Sequence, residues 1–186
     1  MSWYQAQPAL SLALIEAAGI RLDDPIIDVG GGASSLVDCL LERGFRDLAI
    51  LDIADSAIEH VRSRLGAEAE RVALIRADVT RFSPPRKYAL WHDRAVFHFL
   101  TEAMDRRAYV ACLGAALRPR AHVIIATFAL DGPSRCSGLD VARYDLDGLA
   151  AELGQEFELI RVEQEQHTTP AQQVQHFQYC LFQAAA

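Results

Sequence analysis

Apolar positions along the chain fall into two recurring patterns. Short, nearly unbroken apolar runs occupy residues 26–29, 48–51, 72–75, 87–92 and 121–128, and each predicts a buried strand. Between them, residues 34–43, 55–65 and 102–117 place apolar side chains at helical spacing. A further helix is predicted at 8–19, ending on Gly19. Gly44 closes the second helix, Asp55 is expected to cap the third, and Pro119 closes the turn after the fourth. Strand and helix thus alternate, which predicts a parallel sheet with helices on both faces. After residue 128 the pattern changes. A loop at 130–143 is rich in Gly, Ser and Arg, and a short helix is predicted near 145–153. Residues 156–167 and 174–183 then alternate apolar and polar positions on either side of a short turn containing Pro170. They predict an antiparallel hairpin at one edge of the sheet. The expected architecture is a single α/β domain, with a seven-stranded, mostly parallel sheet between two layers of helices.

Composition narrows the function classes. The 186 residues suffice for one domain with a substantial core, and 51% apolar with 23% charged residues is ordinary globular usage. A net charge of −7 argues against a nucleic-acid partner, which usually leaves a basic face. No apolar run approaches the roughly 20 residues of a membrane span, and no basic-then-apolar leader opens the chain. Cys39, Cys112, Cys136 and Cys180 are widely spaced, so neither a zinc site nor a disulfide framework is expected. A reducing, cytoplasmic setting fits this usage.

The chemistry concentrates where strands end. Residues 26–34 read Ile-Ile-Asp-Val-Gly-Gly-Gly-Ala-Ser, a strand running into three glycines and a helix start at Ser34. Bare glycines let a ligand touch the backbone, and the free N–H groups of a new helix face it. Asp28 adds a negative charge there, which suits a ligand bearing an ammonium group. Asp52 and Asp78 stand at or near the ends of the second and third strands. In a doubly wound sheet these positions share one rim, where ligands bind. Asp52 suits the paired hydroxyls of a ribose, while Asp78 and Val79 suit an adenine amine and its flat face. The dinucleotide pattern Gly-x-Gly-x-x-Gly fails, because Ser35 occupies the third glycine position.

In this order and spacing the chain resembles the class I S-adenosylmethionine-dependent methyltransferases. Asp-Val-Gly-Gly-Gly is similar to their acidic-x-Gly-x-Gly loop, Leu-Asp-Ile (51–53) to their ribose-binding strand end, and Ala-Asp-Val (77–79) to their adenine-binding position. The terminal hairpin resembles their reversed seventh strand. The resemblance implies a Rossmann-like three-layer fold and S-adenosylmethionine as cofactor. It implies Gly30, Gly31 and Gly32 against the cofactor's amino-acid part, with Ser34, Ile53 and Val79 also among the cofactor-binding residues. It turns the end of the fourth strand, around His92 and Asp93, toward the ammonium group and the methyl acceptor. Asp93-Arg94-Ala95 is similar to the Asp-Lys/Arg-Gly step of thiopurine-type and some protein-lysine methyltransferases, with Ala95 in place of the glycine.

Methyl transfer from a sulfonium needs alignment and exclusion of water more than acid catalysis. A base helps only an acceptor that arrives protonated, and His98 and His92 are the candidates, with Asp93 as orienter. Trp3 and Tyr4 are expected on an N-terminal lid over the cofactor. The 130–143 loop, with Arg135, Cys136 and Arg143, is expected to bind the acceptor. A small-molecule acceptor is favoured, because the chain carries little beyond the core fold. The alternatives are a protein-lysine methyltransferase and a non-catalytic cofactor-binding regulator.

Overall fold

In the computed structural model, residues 5–169, 172 and 174–186 are described. The central sheet contains β1 (Ile26–Val29), β2 (Leu48–Asp52), β3 (Val72–Arg76), β4 (Tyr88–Arg94), β5 (Leu117–Phe128), β6 (Phe157–Thr168) and β7 (Val174–Ala184). Its order is β3-β2-β1-β4-β5-β7-β6. The first five strands pair in parallel, and β7 enters antiparallel between β5 and β6. This is the Rossmann-like architecture expected from the chain's patterning. The order reverses at β1 and β4, so a ligand crevice belongs beyond the carboxyl ends of those two strands.

The core is split by the sheet. On one face α1 (Ala9–Ala17), α2 (Leu36–Glu42) and α3 (Asp55–Leu65) bury Leu12, Ile15, Leu36, Leu40, Ile58 and Val61 against Ile26, Ile50, Leu90 and Ile124. On the other, α4 (Ala103–Ala116) and α5 (Leu146–Leu153) bury Tyr109, Leu113, Leu149 and Leu153 against Ile27, Trp91, Val123 and Phe182. Among the described residues, no helix is long and apolar enough to cross a membrane.

Three local departures from expectation matter for the site. First, β4 runs two residues further than expected and includes Asp93 and Arg94. Side chains alternate along a strand, so His92 and Arg94 share one face and Asp93 takes the other. Second, β5 begins at Leu117 rather than Ala121, and its pairing with β4 shifts register between Tyr88 and Leu90. Pro119 therefore lies in an irregular strand start instead of a turn. Third, Asp55 does not cap α3. It is the first helical residue and pairs with Arg76 at 3.0 Å, while the carboxylate of Asp52 accepts the N–H of Ala54 at the helix start.

Candidate active site

A cleft of about 450 Å³ opens beyond the carboxyl ends of β1 to β4. Val29, Gly30, Leu51, Asp52, Ile53, Ala77, Asp78 and Val79 line the half that holds its two carboxylates. Arg94, Ala95, Val96, Phe99, Leu100 and Leu139 line the other half. A second cavity, about 20 Å³, shares Val29, Gly30 and Arg94 with the first and is closed by Gln5, Pro8, Asp28 and Ser34.

The glycine run shapes the junction between them. Gly30 adopts a left-handed φ of 70°, and a Cβ there would strike the side chain of Val96. Gly31 and Gly32 continue into a 3-10 turn rather than the start of α2, and a Cβ on Gly32 would lie 2.8 Å from Asp52 Oδ2. The glycines thus keep backbone close to two carboxylates. Ser34 borders the small cavity, and its hydroxyl accepts the N–H of Leu36 at 3.1 Å, starting α2.

The three acidic residues all reach the rim, Asp52 and Asp78 anchored by backbone N–H groups and Asp28 by a histidine side chain. Asp52 Oδ2 accepts from Gly32 N at 3.2 Å and Oδ1 from Ala54 N at 3.0 Å. A carboxylate oxygen has a second acceptor site, so both oxygens of Asp52 retain capacity toward the cleft. Asp78 accepts from both Thr80 N at 2.9 Å and Thr80 Oγ1 at 2.8 Å through one oxygen, Oδ1. It caps the 79–81 turn and lines the cleft at the same time. Asp28 is 2% exposed, and its Oδ1 accepts from His92 Nδ1 at 2.7 Å. Its other oxygen, Oδ2, is buried without a partner among the described residues.

Three expectations for β4 and the turn after it are corrected. His92 does not line either cavity; it sits behind Asp28, with Nε2 2.9 Å from Ser11 Oγ of α1. Asp93 points to the opposite face and is fully buried. It accepts from Val96 N at 2.9 Å, Phe97 N at 3.1 Å and Tyr109 Oη at 2.6 Å, tying the 97–99 turn to α4. Burial lifts its carboxyl to about 6, against the pull of those hydrogen bonds. His98 is also fully buried, packed against Phe99 and Phe128 with ring centroids at 4.7 and 4.8 Å. Neither ring nitrogen has a partner among the described residues, and burial, helped by the charge of Arg94, lowers the imidazole to about 3. Such a ring is a poor base at neutral pH, and it is not among the described residues that line the two cavities.

Arg94 is the residue that sequence reasoning undervalued. It lines both cavities. Its Nε donates to Tyr179 Oη at 2.6 Å, its guanidinium lies 4.6 Å from the Phe177 ring centre, and Glu165 Oε2 is 3.5 Å away. Tyr179 also donates to Glu165 at 2.9 Å, and Gln5 Nε2 donates to the same carboxylate at 2.7 Å. Strand alternation from His92 would have placed Arg94 on this face; nothing local in the sequence pointed to Tyr179, Glu165 or Gln5 as its partners. The 130–143 loop contributes Leu139 to the cleft instead of the residues expected. Cys136 is buried, with its thiol pushed up by burial; Arg135 pairs with Asp140 at 3.0 Å, and Arg143 donates to the carbonyls of Leu130 and Gly132. Trp3 and Tyr4 lie outside the described residues.

Residues 26–120, just over half of the chain, match the methyltransferase domain family. The chain belongs to that family. Its fold is that of solved S-adenosylmethionine-dependent methyltransferases. It is similar to an S-adenosylmethionine-dependent methyltransferase of Methanosarcina mazei, with a TM-score of 0.74 at 15% identity over 92% of this chain and 97% of that one. It is similar to a 1,6-didemethyltoxoflavin-N1-methyltransferase of Burkholderia thailandensis, solved with 1,6-didemethyltoxoflavin and S-adenosylhomocysteine, with a TM-score of 0.74 at 20% identity over 96% and 78% of the two chains. The glycopeptide N-methyltransferase MtfA, solved with sinefungin, gives 0.72 at 14% identity over 96% and 86%. No curated protein matches. The residues of this methyltransferase fit the donor. The unpartnered, buried Asp28 Oδ2 asks for a cationic donor group, and the glycine cradle leaves backbone bare beside it.

Proposed function

We propose that this methyltransferase acts on a small molecule whose accepting end is largely apolar. The observation that carries the reading is a single cleft with two unlike halves. One half offers carboxylates and bare glycine backbone; the other offers Phe99, Leu100, Leu139, Val96 and the Arg94 wall.

When bound, S-adenosylmethionine supplies a methyl carbon activated by its sulfonium. Asp52 would accept hydrogen bonds from the ribose hydroxyls, and Asp78 one from the adenine amine. Ile53 and Val79 would cover the base, and Asp28 Oδ2 would meet the ammonium group beside Gly30, Gly31 and Gly32. The chain's own contribution to the reaction is position. Among the described residues of the apolar half, none offers an acceptor for a proton: Ala95, Val96, Phe99, Leu100 and Leu139 have apolar side chains, and the Arg94 guanidinium only donates. The acceptor therefore brings its own lone pair, and the cleft aligns it and excludes water. A protein-lysine acceptor fits less well. Its ammonium would have to lose a proton beside the Arg94 guanidinium, and no base lines that half. The B. thailandensis enzyme, solved with 1,6-didemethyltoxoflavin bound, supports the small-molecule reading.

Labelled S-adenosylmethionine offered to a panel of small carboxylates, phenols, heterocycles, thiols and amines, with a lysine-rich protein beside them, tests this reading. Transfer to a small molecule supports it; transfer confined to the protein overturns it. S-adenosylhomocysteine at 100 times its dissociation constant should stabilise the protein by about 2.7 kcal/mol. Asp52→Ala should raise that dissociation constant at least about tenfold by calorimetry, the equivalent of one charged hydrogen bond.

A further inference from the structure

A line of hydrogen bonds runs from the N-terminal helix to the donor cradle. Asp28 on β1 and His92 on β4 are register partners in neighbouring parallel strands, so their side chains share one face. That face is covered by α1, whose Ser11 reaches down to it. The distances are 2.9 Å from Ser11 Oγ to His92 Nε2 and 2.7 Å from His92 Nδ1 to Asp28 Oδ1. Exposure is 0% for Ser11 and 2% for the other two. A carboxylate only accepts, so Nδ1 donates to Asp28, and Nε2 shares its hydrogen bond with the serine hydroxyl; the donor at Nδ1 is assigned from this pattern. Acyl-transfer enzymes use the same three residue types. Here Ser11 is sealed inside the fold, and no substrate carbonyl can approach it.

We propose that His92 and Ser11 are positioning residues for the donor's amino group. The inference rests on the reading that Asp28 meets the ammonium group. An imidazole bonded at both nitrogens cannot turn. It holds Oδ1 of Asp28, and the terminal torsion of an aspartate is otherwise broad. With Oδ1 held, Oδ2 is the oxygen left toward Gly31, where a Cβ would lie 2.7 Å from the carboxyl carbon. Ser11 extends the constraint to α1, so the docking of that helix and the aim of Asp28 are one arrangement. An outer hydrogen bond that orients a ligating group is a familiar device at metal centres; here the oriented group faces an ammonium.

The test compares two nucleosides by calorimetry. S-adenosylhomocysteine carries the amino-acid tail, and 5′-methylthioadenosine lacks it. His92→Leu should reduce the preference for S-adenosylhomocysteine about tenfold and leave methylthioadenosine affinity unchanged. His92→Asn, whose amide stands in for the Nδ1 donor, should retain most of the preference, and Ser11→Ala should lose part of it. In an Asp28→Asn background, His92→Leu should change the preference no further, since the histidine acts through the carboxylate. Equal weakening of both nucleosides by His92→Leu overturns the proposal, as does an undiminished effect in the Asp28→Asn background. If His92→Leu fails to fold, the other two variants decide: a preference lost in His92→Asn and kept in Ser11→Ala overturns it. Wild-type protein that binds neither nucleoside would sink the donor reading itself, a result separate from all of these.

Discussion

His98 carries two buried ring nitrogens with no described partner, between two phenylalanine rings. A polar group left unpaired in a core costs about 1–3 kcal/mol, and here the cost also depends on pH. The folded chain holds the ring neutral down to about 3, whereas the unfolded chain protonates it near 6.5. Stability from this residue is therefore complete above pH 6.5 and is lost as pH falls toward 3, by about 2 kcal/mol at pH 5. His98→Phe should raise stability by about 1 kcal/mol at pH 7 and by more at pH 5, read by urea unfolding at both values. Methyl transfer should persist in that variant, because His98 is not among the described residues that line the two cavities. A stability change of the same size at both pH values would contradict the account, as would loss of transfer. Sequence alone could not separate this histidine from a base: its residue type and its place after β4 suit either role, and only packing decides.

At the scale of elements, nearly the whole sheet was legible, because strand and helix periods differ and the parallel strands are apolar on both faces. The placement of the residues proposed to hold the donor was legible too. Asp28, Gly30, Gly31, Gly32, Asp52, Asp78 and Val79 each lie at a strand end or the turn beyond it, where topology fixes position within a residue or two. The placement of Asp93 and Arg94 was not, and the length of β4 explains why. Ending that strand at His92 leaves Asp93 free to face the ligand; two more strand residues turn Asp93 under α4 and Arg94 into the cleft. The strand ends at Arg94, and Ala95 follows with a left-handed φ of 70° and its N–H bonded to the carbonyl of Ala126. A left-handed non-glycine residue costs about 1–2 kcal/mol, and glycine loses about 0.5–1 kcal/mol through greater unfolded-state freedom. Ala95→Gly should accordingly raise stability by about 0.5 kcal/mol, and Ala95→Val should lower it, both by denaturant unfolding. The backbone of Ala95 has the conformation glycine would favour.

Across the whole molecule, the N-terminal segment is joined to both halves of the cleft. The carbonyl of Gln5 accepts from Ser35 Oγ at 2.7 Å, beside the glycine run, and its amide reaches Glu165 on β6, which in turn holds Tyr179 and Arg94. Removing residues 1–7 should weaken S-adenosylhomocysteine binding by about tenfold in a calorimetric titration, the worth of a hydrogen bond or two. Unchanged affinity would mean that the segment only rests on the cleft.

The reversed direction of β7 has one more consequence. The strand passes the ligand rim at Phe177, near its start, and runs down to the far pole, where Ala185 bonds to Arg120 and Glu156. A fusion partner or surface linker attached after residue 186 would therefore leave from the floor of the molecule, clear of ligand traffic. The same attachment ahead of Gln5 would sit at the doorway.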